Sequence, residues 1–259
     1  MNHGIALDPE RKRIYARELV EHRITVADLA GTVSSRINEI RASSLAIDPK
    51  TGDLWCLVDK GSIDDGEIVV LNNKGISRAH YPIRGTDIVY NPDDEAFWVV
   101  GRDFVRVDRQ GKELLKFPNL VAWTCVSIVP IPRTRSAWVI ERRHPQVTGS
   151  RARLLRISAR GEILQAVERE NWNPIGVACE PKTSMAWVVD MRKGLVRVPR
   201  DQDALEPLPI PALAIAISST SGQIWAATEN EILRLDAKGV AVVKLPFEKP
   251  SGQVWLAAF

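Results

Sequence analysis

Short apolar runs, each a few residues long, recur along the whole 259-residue chain and are separated by small polar clusters. Six stretches alternate apolar and polar positions with period two: "RITVADLAG", "GEIVVLNNKG", "DFVRVDRQG", "RLLRISARG", "GLVRVPRDQ" and "NEILRLDAKG". That period predicts a strand with one buried and one wetter face. Five of the six end in glycine (Gly31, Gly75, Gly111, Gly161, Gly239), as a tight hairpin needing positive φ requires. The fifth departs, with Pro199 to Gln202 in that place. No segment carries a convincing helical stripe, so the chain reads as all-β.

Each alternating strand follows a more uniformly apolar one built around an aromatic residue. Tyr15, Trp55, Trp98, Trp138, Trp187 and Trp225 hold this position at nearly regular spacing. Upstream of each aromatic lies another apolar run, "GIALDP", "SLAIDP", "DIVYNP", "VSIVPI", "GVACEP" or "IAISST", then a polar turn often opened by Asp or Asn before Pro. A fourth, more polar strand closes each unit, as in "ISRAHYPI" and "KELLKFP". Six units averaging about 42 residues match the period of four-stranded propeller blades. The expected blades are roughly 1–41, 42–83, 84–120, 121–171, 172–211 and 212–250. A β-sandwich of regular hairpins is the alternative, but it gives no reason for one aromatic to return at the same place in every unit.

The phrase "SGQIWAATE" at 221–229 returns as "SGQVWLAAF" at 251–259, well short of a full unit later. The second copy lacks its first strand. It is expected either to latch the ring beside the N-terminal blade or to open further repeats of a longer chain.

The pattern of apolar strand, "DP-x-x-G", "hydrophobic-Trp-Val-hydrophobic-Asp" and "hydrophobic-Leu-Asp-x-x-Gly" resembles NHL-type and related six-bladed β-propellers over essentially the whole chain. The resemblance implies a platform for ligands, proteins or RNA, and more rarely an enzyme. Some relatives in this wider group are lactonases that hold a divalent metal with a Glu, Asn and Asp set. Others are lyases that use a histidine on the top face. Here the first strands begin at Gly4, Ser43-Ser44, Thr86-Asp87, Trp123-Thr124, Asn173-Pro174 and Leu213. Only Asp87 and Asn173 among them are metal-type ligands, so the lactonase set is not reproduced.

Function is expected on the strand 2→3 connections, since long loops on a rigid scaffold carry it. Two connections are long, residues 59–67 and 141–153. Strand 2 ends in an acid in five copies: Glu18, Asp59, Glu141, Asp190 and Glu229. Such acids can bind a cation or polar ligand, but each accepting backbone N–H bonds from its own loop is the preferred reading. "SIDDGE" lacks calcium-loop spacing, and its Asp65-Gly66 reads as a hairpin turn. Residues 133–160 hold eight arginines, Arg142 and Arg143 among them, against the single acid Glu141. That stretch is a candidate anion surface or a solvated outer edge. His144 follows Glu141 by three residues, a spacing compatible with acid/base work, though no nucleophile accompanies it. His3, His22 and His80 have no partner by spacing. Cys56, Cys125 and Cys179 lie in apolar runs and are expected to be reduced and buried.

The net charge of +3 is too small to imply nucleic acid by itself. No apolar run reaches membrane-spanning length and no secretory leader is evident, so the compartment is cytoplasmic by default unless the chain is a fragment of an exported protein; a monomer without membrane contact is expected. The leading expectation is a non-catalytic scaffold binding a protein or small polar ligand through Asp59, Asp87, Glu141, Arg142, Arg143, His144, Asn173, Asp190 and Glu229. The alternative is a channel-mouth hydrolase, lactonase or lyase with a divalent cation such as calcium. The third is RNA or anion binding by the arginine-rich fourth unit.

Overall fold

The computed structural model describes residues 4–18, 20–62, 65–118, 123–143 and 151–246. The extra C-terminal stretch 251–259, His3 and His144 lie outside them. Among the described residues every regular element is a strand, and the 24 strands form six four-stranded antiparallel sheets. The chain divides into two compact units, residues 1–121 and 122–259.

The first unit holds three sheets in sequence order. They are β1 (Ile5–Asp8), β2 (Arg13–Glu18), β3 (Arg23–Asp28) and β4 (Val33–Ile37); β5 (Ala42–Ile47), β6 (Leu54–Ser62), β7 (Asp65–Leu71) and β8 (Ser77–Tyr81); and β9 (Asp87–Asn91), β10 (Ala96–Val100), β11 (Asp103–Val107) and β12 (Glu113–Pro118). The second unit repeats the plan. It has β13 (Trp123–Ile131), β14 (Ser136–Arg143), β15 (Arg151–Ser158) and β16 (Ile163–Glu170); β17 (Pro174–Cys179), β18 (Ala186–Asp190), β19 (Gly194–Val198) and β20 (Glu206–Pro207); and β21 (Ala214–Ile217), β22 (Ile224–Ala227), β23 (Glu231–Leu235) and β24 (Ala241–Pro246). Within each unit the first strands of successive sheets lie against one another.

Turn chemistry explains why the repeat folds the same way each time. In the β3–β4 turn Asp28 Oδ1 accepts the amides of Ala30 and Thr32 at 2.9 and 2.8 Å, and Gly31 takes φ +88. Asn72, Asp108, Ser158 and Asp236 repeat this bond pair before Gly75, Gly111, Gly161 and Gly239. The side-chain oxygen takes two amides the hairpin leaves open, and glycine alone adopts the needed φ without cost. In the fifth sheet Pro199 stands where the Asx residue belongs and Gln202 where the glycine belongs. Asp201 takes the positive φ instead, at +62. Its outer strand β20 has two residues, against five to eight in the other sheets.

The core fills the spaces between sheets. Trp55 stacks on Phe97 with ring centroids 3.9 Å apart, joining the second sheet to the third. Trp138 reaches across to the fifth sheet and donates from Nε1 to the Ser184 carbonyl at 2.9 Å. Trp187 packs against Ile224, Ala226 and Leu233 of the sixth. Tyr15, Trp55, Trp98, Trp138 and Trp187 are buried as expected, whereas Trp225 is only half-buried. Trp172, outside the repeat, is buried as well.

Two expectations about the connections change. In the described parts of 59–67 and 141–153 strand pairing continues outward, with Asp59 opposite Gly66 and Glu141 opposite Arg153. Asp65 and Gly66 therefore belong to β7 rather than to a turn, because the alternation of "GEIVVL" continues outward through them.

Candidate functional site

In the first unit three sheets meet at a buried polar knot. Asp87, at the start of β9, is wholly buried. Ser44 Oγ donates to its Oδ1 at 2.6 Å, and the Ile88 amide donates to the same oxygen at 3.1 Å. Arg17, near the end of β2, donates from Nη1 to the Ala42 and Ser43 carbonyls. Burial lowers the Arg17 guanidinium pKa to about 10, and the Asp87 charge acts against that fall. Arg17, Ser44 and Asp87 come from the first, second and third sheets, so their contacts tie three blades at their inner strands. Sequence reading singled out Asp87 but missed Arg17. The signal was there, since Arg17 follows Tyr15 by two positions and so shares its buried phase.

The strand 2 acids are mostly taken up by the fold. Asp190 is buried, and its carboxylate accepts the amides of Asn173 at 2.6 Å and of Arg192 and Lys193, both at 2.8 Å. This is the loop-capping role the sequence favoured. Glu18 accepts from Arg23 Nε at 2.7 Å and from the Thr25 hydroxyl. Those bonds hold its carboxyl below the usual carboxylate range. Glu141 is buried between the Cys125 thiol, which donates at 3.3 Å, and the Arg153 guanidinium. Asp59 and Glu229 are exposed. Asn173 is half-buried, with Nδ2 3.4 Å from the Met191 sulfur. Asp87 and Asn173, the two metal-type donors of the first strands, belong to different units. Among the described residues no three His, Cys, Asp or Glu side chains are grouped to hold a metal ion.

The eight arginines of 133–160 do not form one surface. Arg133 and Arg135 sit in the β13–β14 turn and Arg160 in the β15–β16 turn, at one end of the fourth sheet. Arg142, Arg143, Arg151 and Arg153 sit at the other end, beyond an eight-residue strand of roughly 26 Å. Three of the eight serve the interior. Arg142 donates to the Pro174 carbonyl, 3.0 Å from Nε, and burial lowers its pKa while Asp190 opposes the fall. Arg153 binds Glu141 and lies 4.3 Å over the Trp123 ring. Arg156 pairs with Asp201 of the next sheet. The register shows a rule the sequence reading missed. Arg106, Arg156, Arg197 and Arg234 each lie directly across from the blade tryptophan, Trp98, Trp138, Trp187 and Trp225.

A cleft of about 1140 Å³ opens between the fifth and sixth sheets. It exists where β20 is cut short. Leu208 to Leu213 ("LPIPAL") runs in place of a full outer strand, fixed by Leu208 N–H to Leu195 O at 2.8 Å and Leu195 N–H to Ile210 O at 2.9 Å. Ile210 and Ala212 donate back to Leu208 and Ile210, two tight γ-type turns imposed around Pro209 and Pro211. Gly194 makes this route possible. Its φ is +74, and a Cβ there would overlap the Ile210 carbonyl oxygen. The apolar wall faces Leu233 and Ala241, and the mouth carries Asp190, Arg192, Glu229 and Asn230 from the 2→3 turns. Two residues singled out from sequence, Asp190 and Glu229, thus line one cleft.

No protein-family model matches the chain, and no curated protein matches it. Solved structures do. Virginiamycin B lyase from Staphylococcus aureus aligns with a TM-score of 0.70 at 17% identity, over 96% of this chain and 85% of that one. A streptogramin B lyase gives 0.68 at 16%, over 96% and 83%. Hydrazine synthase from Kuenenia stuttgartiensis gives 0.65 at 12%, over 90% and 75%. At these identities the likeness shows the fold, and the fold is the six-bladed β-propeller that the aromatic repeat predicts.

Proposed function

We propose that the protein is a non-catalytic binding module, and that the cleft between its fifth and sixth blades is the binding site. The cleft is the observation that carries this reading. Its size is about that of a ligand pocket, its wall is apolar, and charged groups stand around that wall. Its lining includes Asp190, Arg192, Glu229 and Asn230 from strand 2→3 connections, the class of connection where function is expected from sequence. Two of the nearby acids favour binding over catalysis. Glu141 and Asp190 are committed to a guanidinium and to backbone amides, so neither stands as a ready base.

The probe 8-anilino-1-naphthalenesulfonate tests the site, being an apolar anion that fluoresces when desolvated. The native protein should bind it at one site, and Leu213→Asp, which puts a carboxylate on the half-exposed wall, should abolish the signal with unchanged circular dichroism. Equal binding by both proteins would remove the cleft from the argument. The alternative, a lyase at the inner strand ends, is favoured by the names of two structural neighbours. Incubation with virginiamycin B and mass spectrometry decides it. The binding reading expects intact compound, and protein-dependent conversion overturns it.

A further inference from the structure

We infer that the cleft takes an extended apolar peptide with a basic residue at one end and an acidic residue at the other. This rests on the cleft being a binding site. Its charged groups are sorted by position. Glu229 and Glu231 stand at the 2→3 end against Arg192, and the Asp190 carboxylate beside them is already spent on three amides. Lys238 stands in the β23–β24 turn at the opposite end, and Lys244 lies midway, on β24 opposite Leu233 and two positions from Pro246, the partner of Glu231. No acid of the cleft lining accompanies Lys238 in its turn. Among the described residues none of Glu229, Glu231, Arg192, Lys238 and Lys244 is held in an ion pair. The acid end and the basic end are thus both open to a ligand, with an apolar floor between.

The length follows from the strand that spans the floor. β23 has five residues, roughly 16 Å at the strand rise. An extended peptide of about five residues matches that span. The wall Leu208–Leu213 carries two prolines and so presents few amides, which leaves recognition to apolar contact along the middle and to charge at the ends.

Fluorescence anisotropy at low salt tests this with four end-blocked, labelled peptides: KLVLE, QLVLQ, KLVLK and ELVLE. The whole protein should bind KLVLE about tenfold tighter than QLVLQ, the effect of two modest ion pairs, and tighter than either peptide with like charges at both ends. In the variant E229K/E231K the order should invert in favour of ELVLE, with K238E/K244E favouring KLVLK. Binding indifferent to these substitutions, or absent for all four peptides, overturns the inference. If the naphthalenesulfonate probe still binds in a Leu213-dependent way, the cleft reading survives that failure. Sedimentation at rising concentration addresses the other occupant. A dimer that dissociates in K238E/K244E would assign the cleft to a second copy and also overturn the peptide.

Discussion

Replacing Asp87 by Asn tests the buried knot with the least change of shape. The substitution keeps an oxygen for the Ser44 hydroxyl and the Ile88 amide, while it removes the charge and turns the second carboxylate oxygen into an NH2 donor. Arg17 stays a guanidinium cation, and in the native protein the Asp87 charge offsets part of the pKa fall that burial imposes on it. The variant therefore keeps a buried cation that has lost the Asp87 anion. Breaking a buried pair by removing one partner costs about 3–5 kcal/mol, and the retained hydrogen bonds place this case near the lower end, about 3 kcal/mol. For a chain of this size that is a fall in Tm of roughly 6–12 °C. Arg17→Met supplies the second corner of a cycle, because it removes the cation whose burial is costly. The double variant should then be about 2 kcal/mol more stable than the two single losses summed. Urea unfolding followed by tryptophan fluorescence measures all four proteins. A loss for Asp87→Asn no larger than that of an ordinary surface substitution, about 0.5 kcal/mol, would refute the coupling, as would strict additivity.

The remaining predictions concern packing, backbone and charge. Trp187→Ala should cost about 3–5 kcal/mol, whereas half-buried Trp225→Ala should cost clearly less, as compared by urea midpoints. Gly194→Ala should destabilise by about 2 kcal/mol or more and weaken dye binding, since it strains φ and pushes away the Ile210 carbonyl that frames the cleft. Glu18 titrates below the ordinary carboxylate value, so its contribution is present above the unfolded pKa and is lost as pH falls through the folded one. The stability gap between the native protein and Glu18→Gln should accordingly close as pH drops below about 4.

The fold was legible because its signals are local. Period two, the aromatic position and the Asx-x-x-Gly turn each act within one hairpin, and each appears six times or nearly so. The departure at Pro199–Gln202 was legible too. Its consequence was not, because the cleft depends on how Leu208–Leu213 meets Gly194 and the facing sheet. The arginines show the same limit from the other side. Counted along the chain they make a basic stretch. In the sheet Arg153 and Arg156 fall opposite Glu141 and Trp138, and antiparallel pairing sends the rest to two separate ends. A count carries no register. The phase did carry it, since an arginine on the apolar phase of strand 3 recurs in four blades.

A repeat makes every blade interface alike, so a site specific to one ligand needs a place where the repeat fails. Blade five fails twice. Its turn lacks the Asx oxygen and the glycine, and its outer segment holds Pro207, Pro209 and Pro211, which have no amide to give a ladder. The two failures are separable. Pro199→Asp with Gln202→Gly restores the turn but leaves the prolines, so the outer strand should stay short and dye binding should persist. Adding Pro209→Val and Pro211→Val removes the second block beyond Pro207, which already lies in β20 opposite Val196. The outer strand can then pair along β19, and the cleft should close, with dye binding lost and amide exchange slowed over 206–212. Retained dye binding in that fourfold variant, alongside slowed exchange, would show that the cleft does not arise from the truncated strand.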